Sequence, residues 1–459
     1  MDVDEARWLR LDRGPRETLR AALERTLREA IQAGALREGV RLPSSRALAH
    51  ALSVSRGVVS DAYGQLEAQG FLVTRARASP VVAGVQRSET PRREPEPPRP
   101  APRYDLTPTT PDVTLFPLAR WLAAAQHVAR RASSATLDYR EPRGEHALRT
   151  ALADHLGRTR GVIAEPEQIV VVQGTAQGVY LLLRVLFARG ASRVAVEDPS
   201  HTTQHERIRA FGFELVPQPV DANGMAVAGL DADAVLVTPA HQFPLGFVLS
   251  GERRRDLLAW SRESTGLIIE DDYDAEFRYD REPVRALQGL APEQVVQLGT
   301  VSKTLAPALR LGWLVAPPEF ADEAAREKRL SDDFSPALDQ LTLAELLIRG
   351  DYARHVRRAR AVYRARRDRL LAALAKQLPE LAIEGIAAGL HVLLRLPPGV
   401  SDRTIAEAAS RARIAVPPLS AYRIRPGGDG GLVIGYGRLH EAAVNAATRA
   451  LAKVIRAHL

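Results

Sequence analysis

The sequence predicts an α/β protein with a mainly parallel central sheet, preceded by a small N-terminal module of three helices and a β-hairpin. Three observations lead there. Short, β-branched, near-continuously apolar runs recur between residues 169 and 315, and strands of that kind are buried on both faces of a sheet. The segment Gln86–Arg103 holds six prolines, eight charges and no large apolar residue, so it cannot bury a core and reads as an extended spacer. Ahead of it, apolar residues fall at helical spacing. The expected division is a module over residues 1–85, a linker over 86–103 and a large domain over 104–459.

In the small module, Leu19, Leu23, Leu27 and Ile31 share one helix face, and Gly34 ends that helix. A second helix lies within Leu42–Leu52, with Ser44 as its N-cap. Ser53-Val-Ser55 makes a tight turn, and a third helix runs from about Arg56 to Ala68. Phe71–Thr74 and Pro80–Ala83 flank Arg75-Ala-Arg77 as a hairpin. Helix, helix, turn, helix and hairpin together make a winged helix-turn-helix. Its third helix presents Ser55, Arg56 and Ser60 at the end that reaches base edges in a major groove, with Ser44, Ser45 and Arg46 nearby for phosphates. Arg56 is the candidate for reading guanine, and Arg75 and Arg77 for the backbone or minor groove. Tyr63, Leu66 and Phe71 read as core.

In the large domain the apolar runs are Ile169–Val172, Val194–Val196, Ala234–Val237, Leu267–Ile269, Val295–Leu298 and Leu311–Val315. Ligands of such sheets bind beyond the carboxyl ends of the strands. Polar signatures follow five of these strands: Gly174–Gln177, Glu197–His201, Thr238–Gln242, Glu270–Tyr273 and Thr300–Lys303. They point to one site.

Lys303 is the centre of that site. The chain has 63 basic residues but only four lysines. Arginine holds its charge permanently, whereas a lysine amine can lose its proton and form a Schiff base. A lysine kept among small and hydroxyl residues after a strand points to covalent amine chemistry and outlines a pyridoxal phosphate site. Asp271 then pairs with the pyridine nitrogen and makes the ring an electron sink. Tyr273 reaches the phenolic oxygen of the ring. Gly174-Thr175-Ala176 opens a helix from about Gln177 to Phe187, whose free N–H groups suit a phosphate. Thr300, Ser302 and Arg310 add further donors, and His201 and Gln242 complete the set of cofactor contacts. Asp272, Asp274 and Glu276 read as caps or interface residues.

Composition narrows the class. There are no cysteines, which excludes disulfides, thiolate metal sites and thiol nucleophiles, and no metal is expected. Neither a secretory signal nor a long apolar span is visible, so the expected location is the cytoplasm. The net charge is +8; residues 1–86 carry 13 arginines against 10 acids, a small excess that fits a polyanionic partner and fits mere solubility as well.

The ordered series of motifs resembles the MocR group of GntR-type bacterial transcription regulators. Leu42-Pro-Ser-Ser-Arg46 and Val54-Ser-Arg56 are similar to the GntR signature. Leu137-Asp-Tyr139, Arg143-Gly144, Gly174-Thr175, Glu197-Asp-Pro199, Thr238–Pro244, Glu270–Asp274 and Ser302-Lys-Thr304 with Arg310-Leu-Gly312 are similar to an aminotransferase half. The resemblance covers almost the whole chain. It implies a winged helix-turn-helix joined by a linker to a fold-type-I aminotransferase-like domain, and a head-to-tail homodimer with pyridoxal phosphate bound. It gives Lys303, Asp271, Tyr273, Arg310 and Thr175 the cofactor roles above, and sends Tyr139 to the phosphate of the neighbouring subunit. Two positions depart from the pattern. His201 stands where members often carry a stacking tyrosine, and Val433 stands where such aminotransferases place an arginine for the substrate carboxylate. Arg423, Arg425 or Arg438 would have to replace it.

Two functions follow. The first is a regulator of a double-stranded DNA operator that senses pyridoxal phosphate, alone or with an amino acid or amine effector. The alternative is a working aminotransferase with an auxiliary DNA-binding module. The intact DNA module and Val433 favour the first.

Overall fold

The computed structural model describes residues 11–14, 17–74, 78–84, 101–280 and 284–459. Arg75, Arg77 and residues 85–100, most of the expected linker, lie outside the described residues. The chain divides into two compact units, Met1–Arg99 and Pro100–Leu459.

In the first unit, helix α1 (Leu19–Gln32) is capped by the Thr18 side chain, which accepts the Ala21 N–H. Its Leu23, Leu27 and Ile31 are buried while Leu19 stays exposed. Gly34, at φ 72°, takes a left-handed conformation that a residue with a Cβ resists. Helices α2 (Ser45–Ala51) and α3 (Arg56–Ala68) are capped by Ser44 and Ser55. Strands β1 (Leu72–Val73) and β2 (Val81–Val82) pair antiparallel, Leu72 opposite Val82. The helices and hairpin close over Leu23, Leu27, Leu48, Val59 and Leu66. The buried Tyr63 hydroxyl donates to the Pro43 carbonyl at 3.0 Å, fixing α3 to the segment before α2.

The second unit begins with β3 (Tyr104–Asp105), α4 (Leu118–Arg131) and α5 (His146–Arg160). Then come β4 (Ile169–Val172), α6 (Thr175–Ala188), β5 (Arg193–Asp198), α7 (Thr202–Ala210), β6 (Glu214–Asp221), β7 (Gly224–Met225) and β8 (Ala234–Val237). Helix α8 (Gly251–Ser264) leads to β9 (Leu267–Asp272), β10 (Val295–Thr300) and β11 (Gly312–Val315). These strands form one sheet in the order β4-β11-β10-β9-β8-β5-β6-β7. Strands β10, β9, β8, β5 and β6 run parallel, while β11 is antiparallel to both β10 and β4. Helices α9 (Pro318–Asp332), α10 (Ala337–Ile348) and α11 (Asp351–Gln377) follow. Strands β12 (Ile383–Glu384) and β13 (His391–Arg395), α12 (Asp402–Arg411), β14 (Ile414–Ala415), β15 (Gly431–Gly435) and α13 (Val444–Arg456) complete the unit. Among these, β12, β13 and β15 form a second, antiparallel sheet.

All six expected strands are present. The sequence pattern missed β6, because Pro217 and Pro219 interrupt its apolar run. Both lie where β6 has β5 as its neighbour on one side and β7 joins only at Val220 and Asp221, so the missing N–H groups leave no ladder bond unmade. Burial on both faces is explicit in the strand alternation. Val170 and Val172 pack with Ile269 and Leu298, whereas Ile169 and Val171 pack with Trp313 and Val315 on the opposite face. The same alternation sends Asp271 to the face of Leu267 and Ile269, and Glu270 and Asp272 to the other. No helix among the described residues is long and apolar enough to cross a membrane.

Glu270 and Asp272 find partners on their own face, Asp272 through Oδ2 alone. Glu270 accepts the N–H groups of Leu287 and Gln288 at 3.0 and 3.1 Å. Asp272 meets the Arg160 guanidinium at 2.7 Å with both side chains buried. Arg160→Met therefore leaves a buried carboxylate unpaired and is expected to lower stability by about 3–5 kcal/mol, read from the urea midpoint of the full chain.

Candidate functional site

On the small unit, Ser44 and Ser55 use their hydroxyls as caps, accepting the N–H groups of Ala47 and Val58 at 3.2 and 3.4 Å. Arg56, the first residue of α3, donates through Nε to Ser45 Oγ at 3.4 Å, so the turn brings two candidates from different helices together. Arg46, Arg56 and Ser60 are exposed. Neither arginine meets a carboxylate among the described residues. The start of α3 is thus a surface of hydroxyls and uncompensated guanidinium groups. Arg75 falls outside the described residues.

On the large unit, a cavity of about 180 Å³ opens beyond the carboxyl ends of β5, β8 and β9. Six of the expected residues line it: Thr175, Ala176, His201, Asp271, Tyr273 and Lys303. Helix α6 starts at Thr175, earlier than the sequence pattern suggested, with Gly174 as N-cap at φ 78°. Thr175 and Ala176 are therefore its first two residues, whose N–H groups have no acceptor within the helix. Arg310 lies against this turn; its Nη1 is 3.1 Å from where a Cβ on Gly174 would stand, and its Nη2 donates to the Gln173 carbonyl.

Of the three successive acids, Asp271 is the one that lines the cavity. Its Oδ1 is buried and has no hydrogen-bond partner. Burial pushes its carboxyl up to about 7, reinforced by Asp272 and opposed by Lys303. Burial also pushes the Lys303 amine below its ordinary range, against the pull of Asp274 and then Asp271. Low-dielectric surroundings disfavour the charged form of each. An easily deprotonated amine and a carboxyl lacking a donor therefore share one cavity.

Tyr273 donates its hydroxyl to the His241 carbonyl at 3.0 Å. Burial, then Asp274 and Asp271, hold its phenol well above the ordinary value, so it stays protonated. Asp274 is no cap: it is buried and contacts His241 Nδ1 at 3.0 Å. Glu276 is likewise internal, 3.5 Å from the Tyr352 hydroxyl. His201 keeps one edge open to solvent and tilts against Phe243, ring centroids 5.2 Å apart. Burial of the rest of the ring, then Lys303 and Arg207, push its pKa to about 4, so it presents a neutral face at pH 7.

Other expected residues lie away from the cavity wall. The buried Gln242 amide is consumed by the Pro199 and Phe243 carbonyls at 2.9 and 2.6 Å. The Thr300 hydroxyl donates to the Leu311 carbonyl at 3.1 Å and shares a hydrogen bond with the Ser302 hydroxyl at 2.8 Å, which shapes the turn bearing Lys303. Tyr139 is 86% exposed, beside Phe334. Val433 is buried among Phe243, Leu393 and Leu419, and none of its suggested substitutes lines the cavity. Arg438 pairs with Asp105 at 3.2 Å, Arg423 donates to the Asp429 carbonyl, and Arg425 is tied through its N–H to Asp198. The sequence reading placed Glu197 in a polar signature without giving it a role, and it is a buried acid pushed up to about 7 by burial; it missed Arg207, and both line the cavity. Arg207 was findable: Thr203 and Arg207 are one helical turn apart on α7, on the cavity side.

The raised Asp271 pKa has a stability consequence. Between about pH 4 and pH 7 the folded chain keeps a proton that the unfolded chain has lost, so this group's contribution to stability falls as pH rises through that window. Asp271→Asn removes the titration. The variant is expected to gain stability over the native chain at pH 8 relative to pH 4, measured by urea unfolding of cofactor-free protein.

Residues 109–450 match the family described as aminotransferase class I and II, and residues 18–82 match the gntR family of bacterial regulatory proteins. The chain is similar to the HTH-type pyridoxine biosynthesis transcriptional regulator PdxR of Corynebacterium glutamicum, 36% identical over 90% of this chain and 91% of that one. It is similar to the probable rhizopine catabolism regulatory protein MocR of Rhizobium meliloti, 30% identical over 93% and 91%. Among solved structures it resembles the α-aminoadipate aminotransferase LysN of Thermus thermophilus, complexed with N-(5′-phosphopyridoxyl)-L-leucine, with a TM-score of 0.70 and 25% identity over 77% of this chain and 92% of that one. The chain belongs to the MocR- and PdxR-type transcriptional regulators of the GntR family, in which a helix-turn-helix domain is joined to an aminotransferase class I and II domain.

Proposed function

We propose that this regulator binds a double-stranded DNA operator through the surface at the start of α3 and responds to pyridoxal 5′-phosphate, alone or with an amino compound, in the cavity at Lys303. The observation that carries the cofactor reading is the unpartnered buried Oδ1 of Asp271 in the same cavity as a desolvated lysine. That pair suits a cofactor with a protonated ring nitrogen at one end and an aldehyde at the other. When bound, such a group supplies an electron sink. Asp271 accepts from the ring nitrogen, and Lys303 holds the cofactor covalently through its amine. Tyr273 keeps its proton near the ring oxygen, and His201 lays a neutral imidazole against the ring. The first N–H groups of α6, with Ser302 and Arg310 behind them, take the phosphate, and Thr300 shapes the turn that carries Ser302.

The rest of the proposal concerns assembly. The functional division is residues 1–85 for DNA, 86–103 as linker and 104–459 for the cofactor, acting in the cytoplasm. A homodimer lets the exposed Tyr139 reach the partner's phosphate and presents two DNA modules together. An amino acid or amine effector changes DNA binding by favouring one arrangement of the dimer over another.

Visible absorption of the cofactor-loaded protein tests the reading against a panel of L- and D-amino acids and amines. A stable spectral shift identifies an effector. Conversion to the pyridoxamine form, reversed by a keto acid, would instead establish a working aminotransferase. Lys303→Ala is expected to lose the visible band while keeping DNA affinity. Arg56→Ala is expected to weaken specific DNA binding by roughly 1–3 kcal/mol with the band intact; loss of both would indicate misfolding rather than a base contact.

A further inference from the structure

Resting on the cofactor reading above, we infer that Arg207 is a second guanidinium for the cofactor phosphate, acting beside Arg310. Arg207 lies on α7, one turn from Thr203 and next to the buried face carrying Gln204, and all three line the cavity with Thr175, Ala176 and Lys303. It is half-buried, and its guanidinium donates to Gln204 Oε1 at 3.0 Å. No carboxylate pairs with it among the described residues. Arg310 is in the same condition: it bonds the Gln173 carbonyl and meets no carboxylate among the described residues. It packs on Gly174, immediately before the N–H groups of Thr175 and Ala176.

Arg207 on the cavity wall and Arg310 against the turn that opens α6 repel each other until an anion arrives. After burial, Arg310 is the largest influence pushing the Arg207 pKa below its ordinary value, while Asp271 opposes it. A phosphate dianion relieves both cations at once and takes bidentate hydrogen bonds from each planar fork. The N-terminal end of α6 adds a third positive element at the same place. A ligand carboxylate is the competing occupant. It carries one charge for two guanidinium groups. The consequence is a site that holds the phosphate ester tightly before any covalent bond to Lys303 forms.

The test uses the full chain freed of cofactor and pyridoxamine 5′-phosphate, which cannot form the covalent link to Lys303, with pyridoxamine as the phosphate-free control. Affinities come from calorimetry, and circular dichroism checks the fold of each variant. Arg207→Ala and the bulkier neutral Arg207→Gln are both expected to bind the phosphate ester roughly ten- to hundredfold more weakly, the scale of one charge-assisted hydrogen-bonded pair. Pyridoxamine affinity should be unchanged, and Arg207→Lys should recover part of the loss. Unchanged affinity for the phosphate ester in both neutral variants would overturn the assignment. So would an equal loss for ester and control, or a defect confined to amino-acid responses, which would give Arg207 to a ligand carboxylate. If the native chain binds neither the ester nor pyridoxal phosphate, the cofactor reading itself fails, and this inference with it.

Discussion

Strand β9 ends in three successive acids, and the alternation of a strand forces them onto opposite faces. Glu270 turns toward two backbone N–H groups, and Asp272 pairs with Arg160 through its Oδ2. Asp271 is left facing a cavity with a buried oxygen that nothing satisfies. A buried polar atom without a partner is unfavourable by about 1–3 kcal/mol, and it persists here because its neighbours anchor the strand from the other side. Lys303, the α6 turn and α7 are arranged around that point, and their electrostatics follow from it. The carboxyl is pushed toward its neutral form, the amine toward its neutral form, and the phenol of Tyr273 away from ionisation.

Behind the cavity, a second layer fixes these groups. Asp274 holds His241, and His241 in turn takes the Tyr273 hydroxyl through its carbonyl. Glu197 gathers Thr238 and Gln242. These contacts join loops that follow β5, β8 and β9, so the side chains at the cavity wall are set by packing over several strand ends and not by any one loop. Preorganisation of this sort depends on the layer behind the wall as much as on the wall itself.

Much of this was legible in the sequence because the local pattern and the burial agree. The apolar runs of β4, β8 and β10 leave no choice but a sheet covered on both faces, and Lys303 stands out in a chain that otherwise uses arginine. Ser44 declared one helix start. What stayed hidden depended on tertiary pairing. Strand β6 carries two prolines that only an edge position tolerates. Gln242 sits in a motif of polar residues yet is consumed by carbonyls that sequence spacing does not bring near it. Asp274 looked like one more acid in a loop, although His241, which buries it, lies on the loop after β8. Val433 is packed in an apolar cluster, and the arginines near it in sequence are held elsewhere, while the guanidinium that lines the cavity comes from α7.

Asp271 brings to the cavity an oxygen without a donor, and Arg207 and Arg310 bring guanidinium groups that meet no carboxylate among the described residues. Any molecule that satisfies them raises the free energy of unfolding with the logarithm of its concentration above its dissociation constant. Occupancy then governs survival, since copies that open more often are removed faster by proteases. A ligand of this cavity therefore lengthens the life of the fold without a single helix changing place.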